Sequence, residues 1–125
     1  MRRLVALSLA FLSLLAAAGA AARVGGAPPL FPKLPGKWSH AEINVTIKRQ
    51  PHTLTLDRGT VLQASLSQLT VREPGNVVVI VPLTPQTLVT INGAPSEAAS
   101  LARKMKVDTM RVDGGPAVRV RATSK

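Results

Sequence analysis

The sequence predicts a mostly β protein, folded as a small closed or nearly closed antiparallel barrel with one short helix. Three observations point there. Apolar and polar residues alternate with period two in short runs rich in Val, Ile and Thr. Turn signals built from Gly, Pro, Asn and Asp recur about every ten residues between those runs. An open sheet of this size would leave hydrophobic edges that invite pairing with other chains, and closure removes them. A short sandwich is the second architecture the same pattern allows.

The chain has 125 residues, enough for one domain. It begins Met1-Arg2-Arg3, continues with an apolar run from Leu4 to Leu15, and then has the small residues Ala16 to Ala22. A positive start, an apolar centre and an Ala-x-Ala site describe a signal peptide over residues 1–22, cut before Ala21 or before Arg23. The product is expected to be exported, to the periplasm or the extracellular space. Its second half, Ala and Gly, is too weakly apolar for a spanning helix. Cleavage removes two of the 16 basic residues against 6 acidic ones, so the product stays strongly basic. Arg23 to Lys37 holds Gly25-Gly26, Pro28-Pro29, Pro32 and Pro35, which makes residues 23–37 an extended linker or strap. The domain proper is expected at 38–125.

Ala41 to Lys48 alternates strictly, with Ile43, Val45 and Ile47 on one face and Glu42, Asn44 and Thr46 on the other. Pro51 is expected to end this strand. Thr53 to Leu56 gives a second strand, closed by a turn at Asp57-Arg58-Gly59, and Thr60 to Ala64 gives a third. Gln68 to Arg72 leads into the turn Glu73-Pro74-Gly75-Asn76. Val77 to Val81 is unbroken β-branched sequence, which suits a strand buried on both faces. Thr87 to Ile91 precedes Asn92-Gly93, the strongest hairpin signal in the chain. Pro95-Ser96-Glu97 should open a short helix through Met105, capped by Ser96, with Arg103 and Lys104 at its negative end. Lys106 to Val112 and Ala117 to Thr123, joined at Asp113-Gly114-Gly115-Pro116, form a closing hairpin.

The order Thr90-Ile91-Asn92-Gly93, Leu101, Met105-Lys106-Val107, Asp113-Gly114-Gly115-Pro116-Ala117 and Val118-Arg119-Val120 resembles a family of bacterial secreted small OB-like barrel domains of unknown function. Leu69 to Val79 looks like that family's central hairpin, and Thr84 to Thr87 like its link to the next strand. The resemblance covers about residues 53–122 and implies a fold, without a reaction. A loop glycine of the pattern is Lys104 here, a position strained if it requires positive φ.

The absence of cysteine excludes disulfides, thiolate zinc sites, iron–sulfur clusters and a cysteine nucleophile. His40 and His52 flank the first strand and are expected to be exposed strand-end residues; a metal site drawing on Glu42 or Asp57 is the competing arrangement. The acids Glu42, Asp57, Glu73, Glu97, Asp108 and Asp113 are scattered, mostly at turns, and show no acid–base pair. The expectation is therefore a protein that is not an enzyme, with no catalytic residues, metal or cofactor. The basic residues carry the functional content. If Met110, Val112, Val118 and Val120 face the core, then Arg111, Arg119 and Arg121 form one outward stripe, extended by Arg103, Lys104 and Lys106. The expected partners are an anionic cell-envelope polymer, lipid head groups or an acidic protein. Nucleic acid is not expected, because aromatic stacking platforms are missing. A metal-dependent or hydrolytic envelope enzyme with an unrecognised site is the alternative.

Overall fold

The computed structural model of the chain describes residues 27–124, and the expected signal peptide lies outside them. Eight strands form one sheet: β1 (His40–Ile47), β2 (Gln50–Ala64), β3 (Gln68–Glu73), β4 (Val77–Pro82), β5 (Leu88–Ile91), β6 (Ala94–Ser96), β7 (Lys106–Val112) and β8 (Ala117–Thr123). Their order is β4-β3-β2-β7-β8-β5-β6, with β1 also on β2. Neighbours are antiparallel except β5 and β8, which run parallel. The mostly β expectation holds, but the closed barrel does not: β4 and β6 end the strand order without pairing to each other. β4 therefore keeps a free edge, and Val77, Val78 and Ile80 are each more than half exposed. Of the β-branched run expected to be buried on both faces, only Val81 is fully buried. Val79 and Val81 turn to the apolar cluster on one face, while Val78 and Ile80 alternate onto the other face, which is left to solvent.

The expected turn at Asp57-Arg58-Gly59 is instead the middle of β2, a single strand of 15 residues. Residues 50–57 of β2 pair with β1, residues 60–64 pair with β3, and residues 54–60 pair with β7 on the opposite edge. β1 and β3 thus follow one another along the same edge, and the seam between them falls at Gly59. Pro51 sits inside β2 instead of ending a strand. It pairs with Thr46 of β1, and β7 does not reach that far along the other edge, so the missing donor costs little. The β1–β2 turn is Lys48-Arg49, both left-handed at φ 49° and 66°. The other turns use the expected residues: Gly75 and Asn76, Asn92 and Gly93, and Asp113 and Gly114 all have positive φ.

The expected helix over Pro95–Met105 reduces to one 3-10 turn at Ala98–Ser100, flanked by Glu97 with no side-chain cap. Leu101 leaves that turn to bury itself in the core. Lys104 takes φ 73°, the left-handed conformation that the resemblance assigned to glycine, and so stops helical continuation. Its N–H donates to Val61 O at 2.9 Å, which starts the approach of β7 to β2.

Two apolar clusters occupy the two faces of the sheet. One holds Val61, Leu69, Val71, Val81, Leu83, Val89, Leu101, Val107, Val120 and Ala122 inside the curl. The other holds Leu54, Leu56, Met110 and Val112, covered by Phe31, Leu34 and Trp38. The described part of the Pro-rich segment is therefore a strap laid across the sheet. Arg119 fastens it, donating from Nε to Pro29 O at 2.7 Å and from Nη2 to Pro28 O at 3.1 Å.

A bulge in β8 corrects the expected inward set. Met110 pairs with Arg119 and Arg111 pairs with Ala117, which leaves Val118 as the extra residue. Val118 consequently packs beside the strap cluster while Val120 enters the other core. Val120→Ala is expected to cost about 1–3 kcal/mol in denaturant unfolding, and Val118→Ala clearly less, since its side chain is only half-buried. Equal losses would contradict this register.

Candidate functional site

Beyond the strap, the same sheet face turns from apolar to charged. Successive same-face positions run Leu54, Leu56, Arg58 and Thr60 on β2, and Val112, Met110, Asp108 and Lys106 on β7. Two cross-strand rows result. One is Arg72–Thr60–Lys106–Thr123 and the other is Arg58–Asp108–Arg121. With Trp38 and the β3–β4 turn Pro74-Gly75-Asn76 they line an open groove of about 900 Å³.

Asp108 organises the second row. Arg58 Nε and Nη2 donate to its two carboxylate oxygens at 2.8 and 3.1 Å, and Arg121 Nη2 donates at 2.6 Å. Burial alone would raise the Asp108 pKa, but the two guanidinium partners outweigh it and hold the carboxyl below its ordinary value. Two arginines on one aspartate leave a net positive charge. Each guanidinium also lies over an aromatic ring, Arg58 at 4.1 Å from the centre of Trp38 and Arg121 at 4.4 Å from that of Phe31. Such stacking presets the arginines. Arg72 and Lys106, among the described residues, have no carboxylate within ion-pair distance. What the groove can do chemically is hold an anion.

Of the expected basic stripe, Lys106 and Arg121 line this groove. Arg111 points to the opposite face from Arg119 and Arg121, because it follows Met110 in a regular strand. It closes the β7–β8 turn, donating to Gly115 O at 2.7 Å and Gly114 O at 2.8 Å. Arg119 is spent on the strap, and Arg103 and Lys104 sit in the exposed loop before β7, outside the groove. The single stripe of Arg111, Arg119 and Arg121 is not formed. Arg58, Arg72 and Trp38 were not expected there. Parity along β2 links Arg58 to Leu54 and Leu56, but only once residues 57–59 are read as strand.

A second cluster stands at the seam between β1 and β3. His40 opens β1 directly across from Asp57, and Nδ1 lies 2.7 Å from Asp57 Oδ1. Glu73 closes β3, and ligand atoms of all three side chains lie within 4.8 Å of one another. Asp57 and Glu73 are 2% and 6% exposed, and Glu73 Oε2 has no hydrogen-bond partner. Burial chiefly, then the neighbouring Asp57 carboxyl, raises the Glu73 pKa to about 7. The bond to Asp57 raises that of His40. His40 is therefore more than an exposed strand-end residue. His52 is not part of this cluster: its Nδ1 lies 2.5 Å from Asp113 Oδ2, and Thr53 N–H donates to Asp113 Oδ1 at 2.9 Å. Those bonds, the backbone one first, lower the Asp113 pKa and clip the β7–β8 turn to β2.

Among the described residues no helix is long and apolar enough to cross a membrane. Comparison with protein-family models, curated proteins and solved structures finds no match to this chain, which leaves the OB-like resemblance standing on turn and strand pattern alone.

Proposed function

We propose that this protein is an exported, non-catalytic binding domain that takes an anionic polymer of the cell envelope into the groove beside Trp38. The observation that carries the reading is the pair of cross-strand rows, which aim Arg58, Arg72, Lys106 and Arg121 at one concavity. Arg58 and Arg121 are preset by Asp108 and by their aromatic rings, so ordering them on a ligand costs little entropy. Arg72 and Lys106 supply charge that no described carboxylate offsets. A groove of about 900 Å³ accommodates a few units of a phosphate- or carboxylate-bearing chain. An acidic protein segment or lipid head groups would use the same charges.

The test is retention of the purified chain on heparin or teichoic-type polymer across a salt series. Binding is expected to fall steeply with salt, since charged contacts at the surface are screened. Arg72→Gln with Lys106→Gln should weaken it about tenfold, the equivalent of roughly 0.7 kcal/mol per exposed charge, without loss of stability. Arg103→Gln with Lys104→Gln removes the same charge outside the groove and should change retention little. Equal losses from the two double variants would show that only net charge matters and would overturn the groove.

A further inference from the structure

We propose that His40, Asp57 and Glu73 form a site for a divalent transition-metal cation. The three residues come from three strands and meet only because β2 changes partner at Gly59: His40 is the first residue of β1, Asp57 its partner on β2, and Glu73 the last of β3. Their ligand atoms, within 4.8 Å of one another, converge on a span that one ion with bonds of about 2.0–2.2 Å draws together by small side-chain movements.

The surroundings favour a cation over an all-protein arrangement. Asp57 and Glu73 are buried side by side with one histidine between them and the solvent, whereas the more exposed Asp108 receives two arginines. Glu73 Oε2 is buried without a donor, and so is Thr109 Oγ1, on the residue paired across from Asp57 on β7. Unsatisfied buried oxygens are rare in folded proteins, and two sit beside this one cluster.

The histidine is also arranged as a ligand. Its Nδ1 faces the carboxylates, while Nε2 lies 3.3 Å from Glu42 Oε2 on the other side. A metal-bound imidazole commonly gives its second N–H to a carboxylate in this way, which fixes the ring and raises its basicity. One imidazole and two carboxylates suit zinc, manganese or cobalt; calcium prefers six to eight oxygen ligands. Three protein ligands leave at least one position for water. His40 is half exposed, so an ion enters from that side, and Glu73 also lines the basic groove.

Calorimetric titration of the full chain, freed of metal by a chelator, with zinc and manganese ions reads the site; cobalt absorption reads its geometry. One ion per chain is expected, with a rise in melting temperature. Glu73→Gln and His40→Gln should each weaken uptake by at least tenfold, Glu42→Gln by less, and His52→Gln not at all. The new amide of Glu73→Gln can donate to Asp57, so this variant is designed to keep the fold, checked by a thermal melt. Should it fail to fold, His40→Gln at a half-exposed residue decides. A folded parent that takes up no ion, or uptake that survives both substitutions, overturns the site. Loss caused equally by His52→Gln moves it elsewhere and overturns it too.

Discussion

Gly59→Ala is expected to destabilise the protein by about 3 kcal/mol or more, at the upper end of overpacking losses, because the added carbon has no room. An ideal Cβ at Gly59 would lie 2.3 Å from Arg72 O and 2.7 Å from Val71 Cγ1. The first of these is backbone and cannot rotate aside. Relief requires β3 to move off β2, which would break the pairs Thr60–Arg72 and Val61–Val71. A loss of that size is a large part of the roughly 5–15 kcal/mol that holds a small domain together. Gly75→Ala and Gly93→Ala are the controls. Both have positive φ and nothing within 4 Å of the new carbon, so each should cost only about 1 kcal/mol. Denaturant midpoints for the three variants, with amide exchange over Thr60–Ala64, separate a clash from a conformational cost. If Gly59→Ala behaves like Gly93→Ala, the seam between β1 and β3 is not as tight as described. Arg72 and Glu73 are held by the same pairing, so the groove and the carboxylate cluster should both be lost with it.

The role of Gly59 also shows where sequence reading stops. Asp57-Arg58-Gly59 has the composition of a turn, and nothing within those residues signals that Arg72 O will press against Gly59 from a different strand. Glycine can mark a tight turn or a close approach of backbone, and only the pairing decides. Where glycine or asparagine did mark turns, at Gly75-Asn76, Asn92-Gly93 and Asp113-Gly114, the local demand for positive φ was enough to find them. The alternation of β1 was equally legible, because one face rests on the apolar cluster and the other meets solvent.

The basic face was legible in charge but not in place. Counting parity along β8 puts Val118 with Val120, and one bulged residue separates them onto opposite faces. Counting along β7 does not reveal that Met110, and not Arg111, pairs with Arg119, which puts Arg111 on the opposite face from Arg119 and Arg121. Arg58 and Arg72 lie on separate strands and are joined by the long β2, so no window of sequence contains the groove. His40 and Asp57 stand together in the sequence reading as the competing metal arrangement, but with His52 as the second histidine; Glu73, at a turn flank on β3, is hidden for the same reason as Arg72. Contacts that depend on which strands become neighbours are the ones that periodicity does not carry.

Stability of the metal-free chain should fall as pH rises from about 5 to 8, the reverse of the usual behaviour of a protein held by paired carboxylates. Two groups determine the sign. Glu73 has an ordinary value of 4.5 and titrates near 7 in the fold, so between those pH values the folded state binds more protons than the unfolded one. Its penalty is absent below the ordinary value and complete above pH 7. His40 is raised above 6.5 by Asp57, with Glu42 adding to it, so its contribution is present at low pH and is lost as pH climbs through the folded value. The charged groups facing Glu73 are Asp57, which raises it, and His40, which opposes it less strongly. Asp108 and Asp113 act the other way, but their lowered values confine their loss to pH below about 3.8. The optimum therefore falls near pH 4, between the ordinary values of the aspartates and of Glu73. The slope above it approaches about 1.4 kcal/mol per pH unit for Glu73 and is smaller for half-exposed His40, whose ion pairs are screened by solvent. Denaturant unfolding at pH 5, 6, 7 and 8 with chelator present measures that slope. Glu73→Gln carries a permanently neutral side chain of the same shape, so its advantage over the parent should be small at pH 5 and largest at pH 8, and it should retain only the His40 part of the slope. A parent with no pH dependence across this range, or a variant with an unchanged slope, would mean that Glu73 is already ionised beside Asp57 and that something other than burial sets its charge.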